Sequence, residues 1–137
     1  MHASRVARVA ENLRRMNLKQ ALISAPASLF YLTGKWIAPG ERMVALYIND
    51  QGDTRLYANR LFALRGNIDA ELIEYDDTQD CVRILADGLQ SGPIGIDKLW
   101  PSHFTIRLMD ARGDIRPVVG SRCVDDARMH KLSLIHI

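Results

Sequence analysis

Apolar residues at Val6, Val9, Leu13 and Met16 recur at helical spacing, so residues 4–16 are expected to form an amphipathic helix. Ser4 is placed to accept its first free backbone amides, and Asn17 suits a left-handed exit. Residues 21–24 then form a short apolar run, the pattern of a buried strand. Pro26 opens a helical turn through Tyr31 that Gly34 ends, because glycine takes positive φ without steric cost. Residues 43–48 (Met-Val-Ala-Leu-Tyr-Ile) are apolar on both alternating faces, as a central strand covered on both sides requires. The polar group Asn49-Asp50-Gln51-Gly52-Asp53 turns the chain, and residues 54–58 return as the hairpin partner.

Asn59 is expected to cap a short helix containing Leu61, Phe62 and Leu64, and residues 71–75 alternate as a strand. Asp76, Asp77, Thr78 and Asp80 gather ahead of a helical stripe of Val82, Leu85, Ala86 and Leu89, where negative charge meets the positive end of the helix dipole. Residues 94–97 read as a strand, Pro101 and Ser102 open a helix through Met109, residues 115–119 are extended, and residues 124–129 begin another helix. Strands alternate with helices almost throughout, broken once by a hairpin. The expected fold class is α/β, a mixed β-sheet with helices on both faces.

At 137 residues, the chain has the length of one compact domain. With 47% hydrophobic and 25% charged residues it is neither disordered nor fibrous, and a net charge of +2 by itself calls for no nucleic acid or other polyanionic partner. The apolar runs fall far short of the roughly 20 residues a membrane span needs. The arginines of the first helix superficially match a transit peptide, but its stripe leads straight into a strand and reads as part of the fold. With no signal-peptide core either, the expected location is cytoplasmic and no membrane contact is called for.

Catalytic patterns are missing. The turn after the first strand, Ser24-Ala25-Pro26-Ala27-Ser28, lacks the glycines a phosphate-binding loop needs, and the glycines of Gly92-Pro93-Ile94-Gly95 precede a strand instead of following one. Asp76, Asp77 and Asp80 are the best local metal candidates but read as helix capping. His2, His103, His130 and His136 have no metal-binding spacing, Cys81 and Cys123 read as reduced thiols, and no Gly-x-Ser-x-Gly elbow is present. The basic face of the first helix, with Arg8, Arg15 and Lys19, is interrupted by Glu11 and Asn12 and reads as solvated. No catalytic residue and no metal ligand is assigned.

Four stretches taken together resemble the N-terminal domain of the creatinase and proline-peptidase family, which precedes the pita-bread catalytic domain of Xaa-Pro aminopeptidases and dipeptidases. They are the first helix running through Ala21-Leu22-Ile23-Ser24 to Phe30-Tyr31-Leu32-Thr33-Gly34, and Pro39-Gly40-Glu41-Arg42. The others are Ile94-Gly95-Ile96-Asp97-Lys98 with Trp100-Pro101-Ser102-His103-Phe104, and Val124-Asp125-Asp126-Ala127-Arg128-Met129. The resemblance implies a ribonuclease H-like, non-catalytic domain over residues 1–131. It also implies a missing C-terminal catalytic domain as partner, holding two divalent ions (Mn, Co or Zn), a homodimer, and short Xaa-Pro peptides as the parent's substrate. In the family, the loop matching residues 35–42 reaches toward the neighbouring subunit's active site. Trp36 and Arg42 are therefore the candidate substrate-proximal residues, one offering a rigid apolar face and the other a planar fork suited to a carboxylate. A structural role, as an interface or core aromatic for Trp36 and as an ion pair for Arg42, is the competing reading of each.

Residues 132–137 (Leu-Ser-Leu-Ile-His-Ile) depart from the family pattern and resemble the translation of a sequencing-library adapter, so they are expected to be a non-native tail. A stand-alone α/β interaction module and the N-terminal domain of a creatinase-like hydrolase are the alternative readings.

Overall fold

A computed structural model describes the backbone of residues 1–135 and the side chains of residues 1–129. Helix α1 (Ala3–Arg15) buries Val6, Val9, Ala10 and Leu13, the stripe expected from its spacing. It begins earlier than Ser4, which therefore lies within the first turn and is not the cap. The cap is His2, whose N–H donates to Leu32 O at 3.0 Å and whose carbonyl accepts from Arg5 N and Val6 N at 3.0 Å each. A tertiary tie thus sets the start of the helix where sequence alone shows only a capping residue. Asn17 takes the expected left-handed conformation, with φ of 58°.

Strand β1 (Gln20–Ile23) leads into helix α2 (Pro26–Thr33), which Gly34 ends at φ 77°. Strands β2 (Ala45–Asn49) and β3 (Thr54–Asn59) form the expected hairpin. The strand predicted from Met43 starts at Ala45, because the Met43 carbonyl accepts the Tyr75 hydroxyl instead of entering the ladder. The short helix after Asn59 is a 3-10 turn, Arg60–Phe62, and Asn59 Oδ1 caps it by accepting from Leu61 N at 2.9 Å. Then follow β4 (Leu72–Tyr75), α3 (Cys81–Ala86), β5 (Gly92–Ile96), α4 (Ser102–Ala111), β6 (Ile115–Val119) and α5 (Arg122–Ile135). The expected non-native tail at residues 132–137, and the side chains of His130 and His136, lie outside the residues whose side chains are described.

The strands form one six-stranded sheet in the order β4-β3-β2-β1-β5-β6. Strand β2 is antiparallel to both neighbours, and the other pairings are parallel. Helices cover both faces, as the expected fold class requires. On one face, Val9 and Leu13 of α1, Leu29 and Leu32 of α2, and Cys123, Val124 and Ala127 of α5 pack on Ile23, Leu46, Ile48 and Leu56. On the other, Val82 and Leu85 of α3 and Phe104 and Leu108 of α4 pack on Leu22, Tyr47, Tyr57 and Ile94. Adjacent strand residues such as Leu22 and Ile23 serve opposite layers, which is the period-two pleat at work. Burying each of these large side chains stabilises the fold by about 1.5–3 kcal/mol relative to exposure. Among the described residues, no helix is long and apolar enough to cross a membrane.

Because β2 runs against its neighbours, its first residues lie at the sheet edge where β1 and β3 end, with Ile23 opposite Leu46 and Tyr57 opposite Ala45. Asn59 and Tyr75 pair at the ends of β3 and β4 on this same edge. The connection from α2 into β2 therefore delivers residues 35–42 beside the carboxyl ends of the parallel strands. In α/β sheets this is the edge at which ligands gather.

Candidate functional site

The loop starts where Gly34 N donates to Phe30 O at 2.8 Å, and Thr33 Oγ1 fastens the exit by donating to Leu29 O at 2.7 Å and accepting from Lys35 N at 3.2 Å. Ile37 is buried and anchors the middle. A turn closes the far end, where Arg42 N donates to Pro39 O at 3.1 Å around Gly40 at φ 62°. Held at these points, the loop leaves Trp36 60% exposed. Its ring stands 6.2 Å from that of Phe30, itself half exposed, so the two make one apolar surface at a tilt of 56°. Phe30 was not singled out from the sequence. The signal for it is in the helix period, since Leu29, Tyr31 and Leu32 are buried and Phe30 must face away from them.

Arg42 engages a different neighbour. Its Nε and Nη2 donate to Asp77 Oδ1 and Oδ2 at 3.3 and 3.1 Å, and buried Asn59 Nδ2 donates to the same Oδ1 at 2.8 Å. The hydrogen bonds from Arg42 and Asn59 hold the Asp77 carboxyl below its ordinary range, and the carboxylate in turn raises Arg42. The structure thus gives Arg42 an ion-pair partner while leaving other N–H groups of its fork unused. Trp36 and Arg42 share a loop but rest on separate supports.

Arg42 also lines a cleft of about 310 Å³ with Tyr75, Asp77, Cys81, His103 and Arg107. Arg107 Nη2 donates to Asp80 Oδ1 at 3.1 Å, so both guanidinium groups at the cleft arrive with carboxylate partners. Burial raises the Cys81 thiol above its ordinary value, which keeps it protonated at neutral pH. Tyr75 is likewise pushed up by burial, and its hydroxyl donates to Met43 O. Such a cleft offers polar recognition and no activated nucleophile.

The carboxylates of Asp76, Asp77 and Asp80 serve the fold. Asp80 caps α3 by accepting from Arg83 N at 3.2 Å, and Asp76 Oδ1 accepts from Thr78 N at 2.9 Å. Asp77 is not a cap but the anchor of Arg42. Among the described residues, no three His, Cys, Asp or Glu side chains converge on a point where a metal ion would sit. At the turn after β1, the amides of Ser24 and Ala25 both donate to Asp97 Oδ2 at 3.0 Å. Donors that a phosphate loop would offer to a ligand are therefore taken by an internal carboxylate.

The family model described as the Creatinase/Prolidase N-terminal domain matches residues 5–130. The chain belongs to this family. This creatinase/prolidase N-terminal domain is similar in fold to a prolidase from Thermococcus sibiricus, at 19% identity and a TM-score of 0.79 over 92% of the chain. It is similar also to a dipeptidase from Pyrococcus horikoshii, at 25% identity and a TM-score of 0.80 over 91% of the chain. It spans only 36% of either protein. The creatinase/prolidase N-terminal domain of an X-Pro dipeptidase from Streptococcus pyogenes, at 17% identity, matches over 85% of this chain and 94% of its own, with a TM-score of 0.72. No curated protein matches the sequence.

Proposed function

We propose that the chain is the non-catalytic N-terminal domain of a metal-dependent Xaa-Pro peptidase, contributing to dimerisation and restricting the active site to small proline-containing peptides. The observation that carries this reading is proportion: the family match takes in residues 5–130, yet the chain fills 36% of a prolidase and of a dipeptidase. The remaining length of such a parent is where catalysis would reside. The two divalent ions implied by the family do not fit the described residues of this chain, which hold no cluster for them, and they belong in this reading to the catalytic domain.

Within that assembly Trp36 supplies a rigid apolar face, backed by Phe30, toward the neighbouring subunit's active site. Arg42, fixed by Asp77, presents its remaining N–H groups to a peptide carboxylate. The free thiols of Cys81 and Cys123 accord with a reducing, cytoplasmic compartment.

The test starts from the source gene, resequenced across the codons for Arg128 to Ile137 without adapter ligation and expressed over its full reading frame. The full product is expected to hydrolyse Xaa-Pro dipeptides with added manganese or cobalt and to leave creatine untouched, whereas the 137-residue chain alone turns over neither. Trp36→Ala in the full product is expected to raise KM for short proline peptides far more than it lowers kcat. Turnover by the isolated chain overturns the reading, and creatine hydrolysis by the full product replaces it with a creatinase-like parent. A stop codon directly after this sequence would favour a stand-alone module.

A further inference from the structure

Helices α1 and α5 pack along one another through buried side chains, and Asn12 Nδ2 of α1 donates to Cys123 O of α5 at 2.9 Å. Along the rim of this seam, α1 presents Arg8, Asn12 and Arg15, which share one face of the helix, and α5 presents Arg122 and Asp126 a turn apart. Together these residues line a cleft of about 600 Å³ with Met16. The sequence shows the α1 half as an ordinary solvated face. What it does not show is that the fold sets a further arginine, distant in the chain, across from that face.

The guanidinium groups in this cleft are sparsely used. Arg8 has no hydrogen bond or ion pair among the described residues, in contrast to the arginines at the loop cleft. Arg15 gives a single N–H to Glu11 at 2.8 Å, and Arg122 stands 3.6 Å from Asp126, beyond hydrogen-bond reach. Arg122 is also the first residue of α5, so the positive end of that helix dipole adds to the local potential. The cleft thus sets three guanidinium groups against two carboxylates, Asp126 in its lining and Glu11 paired with Arg15. Like charges gathered this way repel each other, and an anion with several oxygens relieves the repulsion while accepting paired N–H bonds from each planar fork.

We propose that the α1–α5 cleft is a binding site for a phosphate-class dianion, held by Arg8, Arg15 and Arg122. Its volume exceeds that of a single phosphate and admits a small molecule bearing a phosphoryl or diphosphoryl group. The probes are inorganic phosphate and pyrophosphate, titrated into the 15N-labelled chain with ionic strength held constant by sodium chloride. Saturable shifts are expected at the backbone amides of Arg8, Asn12 and Arg122. Arg8→Gln and Arg122→Gln are each expected to weaken binding about tenfold, the scale of one lost charge-assisted bond. Both side chains are exposed, so the folded spectrum is retained and loss of binding is not loss of fold. Arg65→Gln, whose guanidinium pairs with Glu74 of the edge strand β4 and not with the cleft, is expected to leave anion binding unchanged. Tighter binding of pyrophosphate than phosphate assigns a diphosphoryl ligand, and equal binding assigns a single phosphoryl group. Shifts that rise linearly with anion, or that persist in Arg8→Gln and Arg122→Gln alike, overturn the proposal.

Discussion

Asp97 Oδ2 accepts the backbone N–H of Ser24 at 3.0 Å, and with it the N–H of Ala25 at the same distance. The carboxylate follows β5, the amides follow β1, and one side chain therefore fixes where α2 starts. Ala25 at the α2 N-cap has no side-chain oxygen to offer, so Asp97 does from outside what a capping serine does from within. Asp97 is 3% exposed. Its truncation to alanine leaves two buried donors without an acceptor, and the expected loss is about 3 kcal/mol of unfolding free energy. Asp97→Asn retains an oxygen and is expected to lose roughly half as much. Urea denaturation followed by circular dichroism measures both.

How much of this was legible in the sequence depended on distance along the chain. The α1 stripe, the Gly34 stop and the Asn59 cap are local signals, and each is where the spacing placed it. Trp36 lies between Gly34 and Pro39 with no apolar periodicity to bury it, so its exposure follows from the pattern. Asp77 as the partner of Arg42 does not, because that pairing depends on β2, β3 and β4 lying side by side. The Asp76, Asp77, Asp80 group looked like three caps, yet only Asp80 is one. Local charge near a helix start is ambiguous until the neighbouring strands are known. The cap at Ser4 failed for the same reason, since the Leu32 carbonyl that recruits His2 is distant in sequence.

Gly95 and Gly120 allow a close backbone approach at the fold's carboxyl edge. A Cβ on Gly120 would stand 2.4 Å from Gly95 Cα and 2.8 Å from its carbonyl carbon, both backbone atoms that have no rotamer to change. Gly95, near the end of β5, is thus explained by the packing of that strand against the residue that follows β6. Gly120→Ala is expected to destabilise by about 3 kcal/mol through forced overpacking. Gly113→Ala, with nothing near its Cβ position, is expected to stay within about 0.5 kcal/mol of the parent. Thermal melts of the two variants side by side separate the steric effect from any general penalty for losing glycine.

The Arg42–Asp77 pair fastens the candidate loop to the end of β4. Arg42→Gln removes the fork while Asn59 goes on holding Asp77, so the change is confined to the loop. Faster amide hydrogen exchange is expected at residues 40–43, with the exchange of β2 and β3 unchanged. Uniform acceleration across the sheet would show that the pair supports the whole fold. Asp77→Asn, which keeps an acceptor for Arg42, is expected to accelerate exchange less than Arg42→Gln.

Cys123 sits in α5 against the sheet, and burial raises its thiol from an ordinary value of 9.0 up to about 12. At pH 8 a group with that value is ionised in only about one molecule in ten thousand, so the folded chain presents almost no Cys123 thiolate to a thiol reagent. Ellman's reagent is expected to react with Cys123 only on unfolding, and with the half-buried Cys81 first. The same shift sets a pH dependence. The folded state holds the Cys123 proton more tightly than the unfolded chain, so this contribution is complete below about pH 9 and is lost as pH rises toward 12. Tyr75, also raised by burial, acts in the same direction above its ordinary value of 10.0. The urea midpoint is therefore expected to fall steadily from pH 9 upward. Cys123→Ala removes the titrating group at the cost of a small cavity, so its midpoint is lower at pH 8 but falls less steeply between pH 9 and 11. Parallel slopes for parent and variant would locate the alkaline sensitivity in the tyrosines instead.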